Sequence, residues 1–265
     1  MTKDDSLETT TTDVRDDQIE KARFEDVTKQ FGRVIAVEDV TLPIYENEIL
    51  AVVGDNGAGK STLMNMLSGV YQPTAGRVIF DGEQVQFSNP SEARERGIET
   101  VYQDLALMDD LDIATNIHIG KFPKRLDIGP VDVIDWRQTY ENTTKILEFL
   151  QQDLRPTTEV AFLSGGQRQL VAVGRSLLFD PEVLILDEPT SALSVAGAEL
   201  VHDTMHRLKA EGHTQIVVSH NLEDVFNLAD RIAVMYRGQL VATVNPEQTD
   251  KETVTDLLTS GTPSS

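Results

Sequence analysis

Eight residues limit this chain's possible folds more than any others: Gly54–Ser61 reads G-D-N-G-A-G-K-S, a match to G-x-x-x-x-G-K-[ST]. The motif needs a strand before it and a helix after it. Ile49–Val53 is a continuous apolar run of the kind a strand buried on both faces shows, and Leu63, Met64, Met66 and Leu67 mark a helix that stops near Gly69. In that setting Gly54, Asp55, Asn56, Gly57, Ala58 and Gly59 form a loop able to wrap a phosphate chain. Backbone N–H groups and a positive dipole end come from the helix N-terminus, Lys60 reaches the outer phosphates, and Ser61 beside Thr62 offers a hydroxyl to Mg²⁺. The competing reading is an ordinary turn, and the flanking strand and helix count against it.

Around this loop the pattern alternates strand with helix. Residues 1–20 are polar and charged, with a Thr9–Thr12 run, and read as a disordered acidic tail. Phe24, Val27, Val34, Ala36, Val40, Leu42 and Ile44 predict two strands with a turn at Gly32. From about Asp104 to Phe179 the periodicity is mostly helical, broken at Pro123, Gly129 and Pro130; Tyr140, Thr144, Leu147 and Leu150 fall at helical spacing. Buried-strand runs return at Val183–Leu186, Ile216–Val218 and Ile232–Tyr236, separated by helical stretches at Ala196–Ala210 and Asn221–Leu228. The expected fold class is α/β, a largely parallel, helix-covered sheet with a helical insertion.

Two further motifs carry chemistry. Val183–Glu188 reads V-L-I-L-D-E: Asp187 can hold a Mg²⁺ water shell and Glu188 can orient and deprotonate water, although an acidic pair at a strand end also serves simply to cap the next turn. Leu163–Gln167 reads L-S-G-G-Q ahead of a helix with Leu170, Val173, Leu177 and Leu178 on one face. There Ser164 and Gln167 predict a capping box, and with Gly165 and Gly166 the same helix start is a phosphate site; both readings hold together.

These three motifs, in this order and spacing, resemble the nucleotide-binding subunit of an ATP-binding cassette transporter from about Arg23 to Leu240. The resemblance implies a P-loop NTPase core with an antiparallel β subdomain and a helical signature subdomain at about 104–178. The nucleotide-binding domain would be 21–245, with a C-terminal helix and tail over 246–265. It implies that Gln103, ending the strand V-Y-Q, contacts the metal and reports to a membrane subunit, that His220 in I-V-V-S-H-N meets the γ-phosphate, and that Phe31 stacks on adenine. It also implies ATP and Mg²⁺ as ligands, with Ser61, Gln103 and Asp187 at the metal. A head-to-tail pair of cassettes would place Ser164–Gln167 on the nucleotide of the opposite subunit. Leu67–Gly76 and Val101–Leu107 are similar to the branch that serves monosaccharide importers of the ribose, xylose, fructose and glucose type. That branch implies permease subunits, a separate extracytoplasmic solute-binding protein, and a place on the cytoplasmic face of the membrane. A nucleoside or other polar cargo, or a soluble cassette protein without a permease, are the alternatives. Ser194 stands where the family usually has Asp in S-A-L-D, which bears on the contact made across the dimer.

Composition excludes other classes. Asp and Glu total 44 against 23 Lys and Arg, a net charge of −21, so a basic nucleic-acid-binding face is ruled out. There is no cysteine for a disulfide, a zinc ribbon or a thiol nucleophile, and no apolar run approaches a membrane span. The N-terminus has no signal-peptide pattern, so the expectation is a soluble cytoplasmic chain. His202 and His206 lie four apart but lack a third ligand and read as a solvated helix face. Asp109, Asp110 and Asp112 lack a Ca²⁺ loop pattern, and His118 and His213 have no partners in sequence.

The acids are spread along the whole chain, 24 Asp and 20 Glu against 9 Lys and 14 Arg, a make-up that suggests adaptation to high salt. Raising salt shortens the screening length from about 10 Å at 0.1 M to about 3 Å at 1 M. Melting temperature and ATP turnover are therefore expected to rise together from about 0.1 M to about 1 M KCl, a range set by that screening. A melting temperature that is flat or falling across the series would overturn the salt adaptation.

Overall fold

A computed structural model describes residues 18–128 and 131–262. The chain forms two compact units, one running to Ala93 and resuming at Thr214, the other spanning Arg94–His213.

The first unit opens with a long hairpin, β1 (Glu20–Phe31) and β2 (Val34–Tyr45), turning at Gly32 as the alternation predicts. Of the expected tail, Met1–Asp17 lie outside the described residues, and the chain is already in strand at Glu20. Next come β3 (Ile49–Val53), α1 (Lys60–Leu67), β4 (Ala75–Phe80), β5 (Glu83–Val85) and the short α2 (Pro90–Glu95). Strands β2-β1-β4-β5 form one antiparallel sheet.

The second unit holds β6 (Ile98–Val101), α3 (Ile113–His118), β7 (Lys124–Ile128), β8 (Val131–Ile134), α4 (Trp136–Phe149), a 3₁₀ turn at Val160–Phe162, α5 (Gly165–Leu177), β9 (Val183–Asp187) and α6 (Val195–Ala210). Strands β6 and β9 pair in parallel, Ile98 opposite Val183 and Val101 opposite Leu186. The chain then returns to the first unit as β10 (Thr214–Ser219), α7 (Leu222–Leu228), β11 (Arg231–Tyr236), β12 (Gln239–Val244) and α8 (Lys251–Ser260). There β3 lies between parallel neighbours β10 and β11, and β12 closes the edge antiparallel to β11.

Every residue of β3 and of β10 is buried, which explains their unbroken apolar character. Ala51, Val53, Ile232 and Val234 pack with Val225 of α7 and Val254 and Leu257 of α8. A buried ion pair ties the base of this sheet. Arg231 donates from Nη2 to Glu48 Oε1 at 2.8 Å and from Nε to Oε2 at 3.2 Å, the Tyr45 amide donates to Glu48 at 2.8 Å, and the guanidinium lies 4.6 Å from the centre of the Tyr45 ring. Losing one partner would leave a buried charge uncompensated, at about 3–5 kcal/mol.

Two expectations for the second unit need correction. The stretch 104–179, expected to be mostly helical and broken at Pro123, Gly129 and Pro130, also contains two antiparallel strands, β7 and β8, with Lys124 opposite Ile134 and Ile128 opposite Val131. Their period-two pattern, K-R-L-D-I and V-D-V-I, favours strand, with Gly129 and Pro130 lying between the two segments. On α4 the buried face is Thr139, Thr143, Leu147 and Leu150, while Thr144 is exposed. Thr139 and Thr143 can be buried because their hydroxyls donate to the carbonyls four residues back, at 2.8 and 2.9 Å. The core of this unit joins Ile113, Ile117, Leu147, Val160, Leu163 and Val171.

His118 is 1% exposed at the end of α3. Its Nδ1 lies 3.1 Å from Ala114 O, Nε2 has no hydrogen-bond partner, and burial pushes its pKa below the ordinary value. As pH falls below about 6.5 the unfolded chain takes up this proton before the folded one, so stability present above that pH is lost toward the lower folded pKa. The slope from one such group approaches about 1.4 kcal/mol per pH unit. Denaturant melts between about pH 6.5 and 5.5 are expected to show this loss in the native chain and a reduced one in His118→Leu. Identical pH dependence in the two would remove His118 as its source.

Candidate active site

In the first unit, the phosphate loop is shaped by backbone that only glycine can adopt. Gly57 and Gly59 have φ of 83° and 99°, and a Cβ on Gly59 would lie 2.5 Å from Ala36 O of β2. A Cβ on Gly54 would lie 2.7 Å from Met235 O. Contacts of this kind exclude any side chain, so the loop closes directly onto the neighbouring strands. Ala58 N donates to Asp55 O at 3.0 Å and Gly238 N to Ala58 O at 3.0 Å, pinning the loop from inside and outside.

Gly59 caps α1 with no side-chain bond, so the first-turn amides Lys60, Ser61 and Thr62 begin the helix with no capping side chain on them. Lys60 is 7% exposed, and its ammonium donates to the carbonyls of Gly54 at 2.7 Å and Asp55 at 3.1 Å. Asp55, Asn56, Gly57 and Ser61 are exposed around it. A loop with glycine at positions 54, 57 and 59, a helix start and a buried ammonium together fit a polyphosphate.

The parallel register supplies the next residue. Ser219 of β10 lies opposite Val53 of β3, so His220 and Gly54 leave adjacent strands at the same carboxyl end. Asn221 then caps α7, accepting from Glu223 N at 3.0 Å, while its own amide donates to Ser219 Oγ at 3.0 Å. Phe31 ends β1 in the hairpin whose Ala36 meets Gly59. It is 42% exposed and sits edge-on to Tyr71 at 5.1 Å, with the Lys29 ammonium 5.1 Å from its ring centre. Tyr71 and Lys29, which sequence reasoning passed over, thus fix the Phe31 ring; a lone tyrosine beyond a helix offers no signal for that.

The second unit gathers another group. The pairing of β6 with β9 ends at Val101 and Leu186, and Gln103 lies two residues past Val101 as Glu188 lies two past Leu186. Gln103 is therefore beyond the strand it was expected to end. Asp187 and Glu188 are half-buried, and Glu188 is held at a left-handed φ of 52° by Ser191, whose amide and hydroxyl donate to Glu188 O at 3.1 and 2.9 Å. Such strain in a non-glycine residue costs about 1–3 kcal/mol and persists only where its surroundings enforce it.

Ser164 and Gln167 form the predicted capping box at the start of α5, with Gln167 N donating to Ser164 Oγ at 3.3 Å and Ser164 N to Gln167 Oε1 at 3.0 Å. Gly165 faces Leu193, and a Cβ on Gly166 would lie 2.9 Å from the Cα of Gly197 at the start of α6. Gly197 pairs with the signature only through tertiary contact. Ser194 caps α6, accepting from Gly197 N at 3.2 Å, a bond that Asp would also make.

The predicted residues thus fall into two groups, Phe31, Gly54–Thr62 and His220 in one unit, Gln103, Asp187, Glu188 and Ser164–Gln167 in the other. Of the residues expected at the metal, Ser61 offers a hydroxyl in the first unit, and Gln103 and Asp187 offer an amide and a carboxylate oxygen in the second; each is a hard oxygen donor of the kind Mg²⁺ takes. Among the described residues no three or more His, Cys, Asp or Glu side chains cluster as a metal site. His206 is exposed as expected, whereas His202 is half-buried. Asp109 pairs with Arg168, Asp112 caps α3, and His213 Nδ1 lies 2.7 Å from Pro181 O, so each has a structural task.

A family model described as ABC transporter matches residues 37–191, more than half of the chain. The chain belongs to the ABC transporter family. It is 39% identical over 236 residues to the xylose/arabinose import ATP-binding protein of Sulfolobus acidocaldarius, covering 89% of this chain and 92% of that one. It is 37% identical to a ribose import ATP-binding protein of Streptomyces avermitilis, covering 89% of this chain but 45% of that protein, less than half its length. A solved ATP-binding cassette of an ABC transporter in its ADP conformation superposes with a TM-score of 0.78 at 28% identity, covering 91% of this chain and 96% of that one. The chain is thus an ATP-binding ATPase cassette with the P-loop fold. Among the described residues no helix is long and apolar enough to cross a membrane.

Proposed function

We propose that this chain hydrolyses ATP to power import of a monosaccharide, a pentose in particular, through a separate membrane permease fed by an extracytoplasmic solute-binding protein. The pentose assignment is supported by the high-coverage relative named for xylose and arabinose import. The observation that carries the catalytic reading is the register of β3 with β10, which puts His220 beside the first residue of the phosphate loop. Residues 21–245 form the nucleotide-binding domain, with about 104–178 as its signature-bearing subdomain and 246–265 as the terminal helix and tail.

In this reading Phe31 stacks on adenine, and Lys60 with the first-turn amides of α1 holds the outer phosphates. Ser61, Gln103 and Asp187 would hold Mg²⁺, which when bound would neutralise phosphate charge. The Glu188 carboxylate accepts a hydrogen bond from the attacking water and takes its proton as the water oxygen bonds to the γ-phosphorus and the bond from that phosphorus to the β–γ bridging oxygen breaks, ADP keeping that oxygen, while His220 donates to the γ-phosphate. ADP and phosphate leave as products. Ser164–Gln167 act on the nucleotide of a second cassette in a head-to-tail pair, so closure follows ATP binding and reopening follows hydrolysis. The cassette works on the cytoplasmic face of the membrane, attached through its permease, and Gln103 reports the state of the site to it.

Glu188→Gln is expected to keep ATP affinity and lower turnover by about 10²–10⁴-fold, the usual contribution of a positioned general base. It should also trap a nucleotide-bound dimer in gel filtration. Near-native turnover would remove Glu188 from the reaction.

The shared site has its own test. An inactive Ser164 variant mixed with an inactive Lys60→Ala variant is expected to regain activity, because half of the sites in a mixed dimer are then intact. Mixed dimers that form and remain inactive would overturn the sharing.

A further inference from the structure

The segment leaving Gln103 is bound to the signature helix at both ends. At its start, Arg175 in the last turn of α5 donates from Nη2 to Leu105 O at 2.7 Å and from Nη1 to Ala106 O at 3.2 Å. Ala106 is in the left-handed region, φ 47°, a conformation a non-glycine residue holds only when its surroundings enforce it. The Asp104 carboxylate adds a bond from Ala106 N at 3.1 Å. Farther along, Asp109 pairs with Arg168, the residue that follows the signature glutamine. Arg168 and Arg175 are seven residues apart on the helix, roughly 10 Å along its axis, and Ala106 to Asp109 extended covers about the same length. The loop therefore runs antiparallel along α5.

The chain just before the signature grips the same segment. Ala161 N donates to Asp109 O and Val160 N to Leu111 O, both at 3.0 Å. Asn116, 2% exposed on α3, accepts from Met108 N at 2.7 Å and donates to Met108 O at 3.0 Å and Asp112 O at 3.0 Å. Arg175 is half-buried. Burial lowers its pKa, Glu99 acts to raise it and Arg94 to lower it; its charge-assisted bond to Leu105 O is part-buried and the one to Ala106 O is exposed. The Asp109–Arg168 pair is more exposed and correspondingly weaker.

We infer that Arg175 is a positioning residue that locks the Leu105–Asp109 segment to α5, so that Gln103 and the Ser164–Gln167 turn are displaced together. This rests on the reading of Gln103 and the signature given above. The arrangement assigns a task to a residue far along the helix from the signature turn, and it makes the signature report on whatever moves Gln103.

The test uses the full chain and an Arg175→Met variant, which keeps much of the apolar stem but removes both donors. Turnover is expected to fall on the order of ten- to a hundredfold, the scale of a small misplacement of catalytic groups, while KM for ATP stays within about twofold. Amide hydrogen exchange is expected to rise over 104–111 and to stay unchanged in β3 and α1. Arg175→Lys, which keeps the charge and can reach one carbonyl, should show an intermediate loss and serves if the methionine variant does not fold. Native turnover or native exchange over 104–111 in the variant that folds overturns the inference. Gln103→Ala separates the two layers. If it alone loses turnover, the lock falls and the reading of Gln103 stands; if Arg175→Met alone loses turnover with raised exchange, the lock stands and the role of Gln103 falls.

Discussion

Parallel pairing that brings buried strands to a common carboxyl end is the constraint on which the remainder depends. In one unit β3 and β10 end together at Val53 and Ser219, and in the other the pairing of β6 with β9 ends at Val101 and Leu186, one residue before β9 itself ends. Strands buried on both faces cannot slip register without unmaking close packing on each face. Each residue that follows such a strand is accordingly placed with a precision that a loop could not supply. Gly54 and His220 gain their proximity this way, and so do Gln103 and Glu188.

A second constraint is the absence of Cβ atoms at a few points. Gly59 approaches Ala36 O, and Gly166 approaches Gly197, so closely that alanine would have to displace backbone. The first contact seats the phosphate loop on the antiparallel hairpin, and the second seats the signature turn on the helix that follows the acidic pair. Ser194 in place of the family's Asp keeps the cap of α6 because a hydroxyl accepts the same amide. The cap of that turn thus survives the replacement.

Polar groups inside the units are placed with similar economy. Glu48 with Arg231, Asn116 with the backbone of Met108, Leu111 and Asp112, and Arg175 with two carbonyls each satisfy polar groups of the fold. Only the first is an ion pair. The other two hold irregular backbone in the segment that follows Gln103.

Much of this was legible in the sequence because its signals are local. A glycine-rich loop between a buried strand and a helix, a capping box at Ser164, and an apolar strand ending in Asp187 and Glu188 each state their geometry within a few residues. So do strands β1, β2, β3, β9, β10 and β11 and helices α1, α4, α5, α6 and α7. What the sequence could not state are facts about partners distant along the chain: that Tyr71 braces Phe31, that Gly197 receives Gly166, that Arg175 reaches Leu105 and Ala106, and that Thr143 rather than Thr144 turns inward. The hairpin β7–β8 was missed for a related reason, since short period-two segments inside a helical stretch acquire their meaning only when they pair. Local backbone preference and hydrophobic period are encoded residue by residue, whereas close approach and the satisfaction of buried polar groups are decided only when the chain has packed.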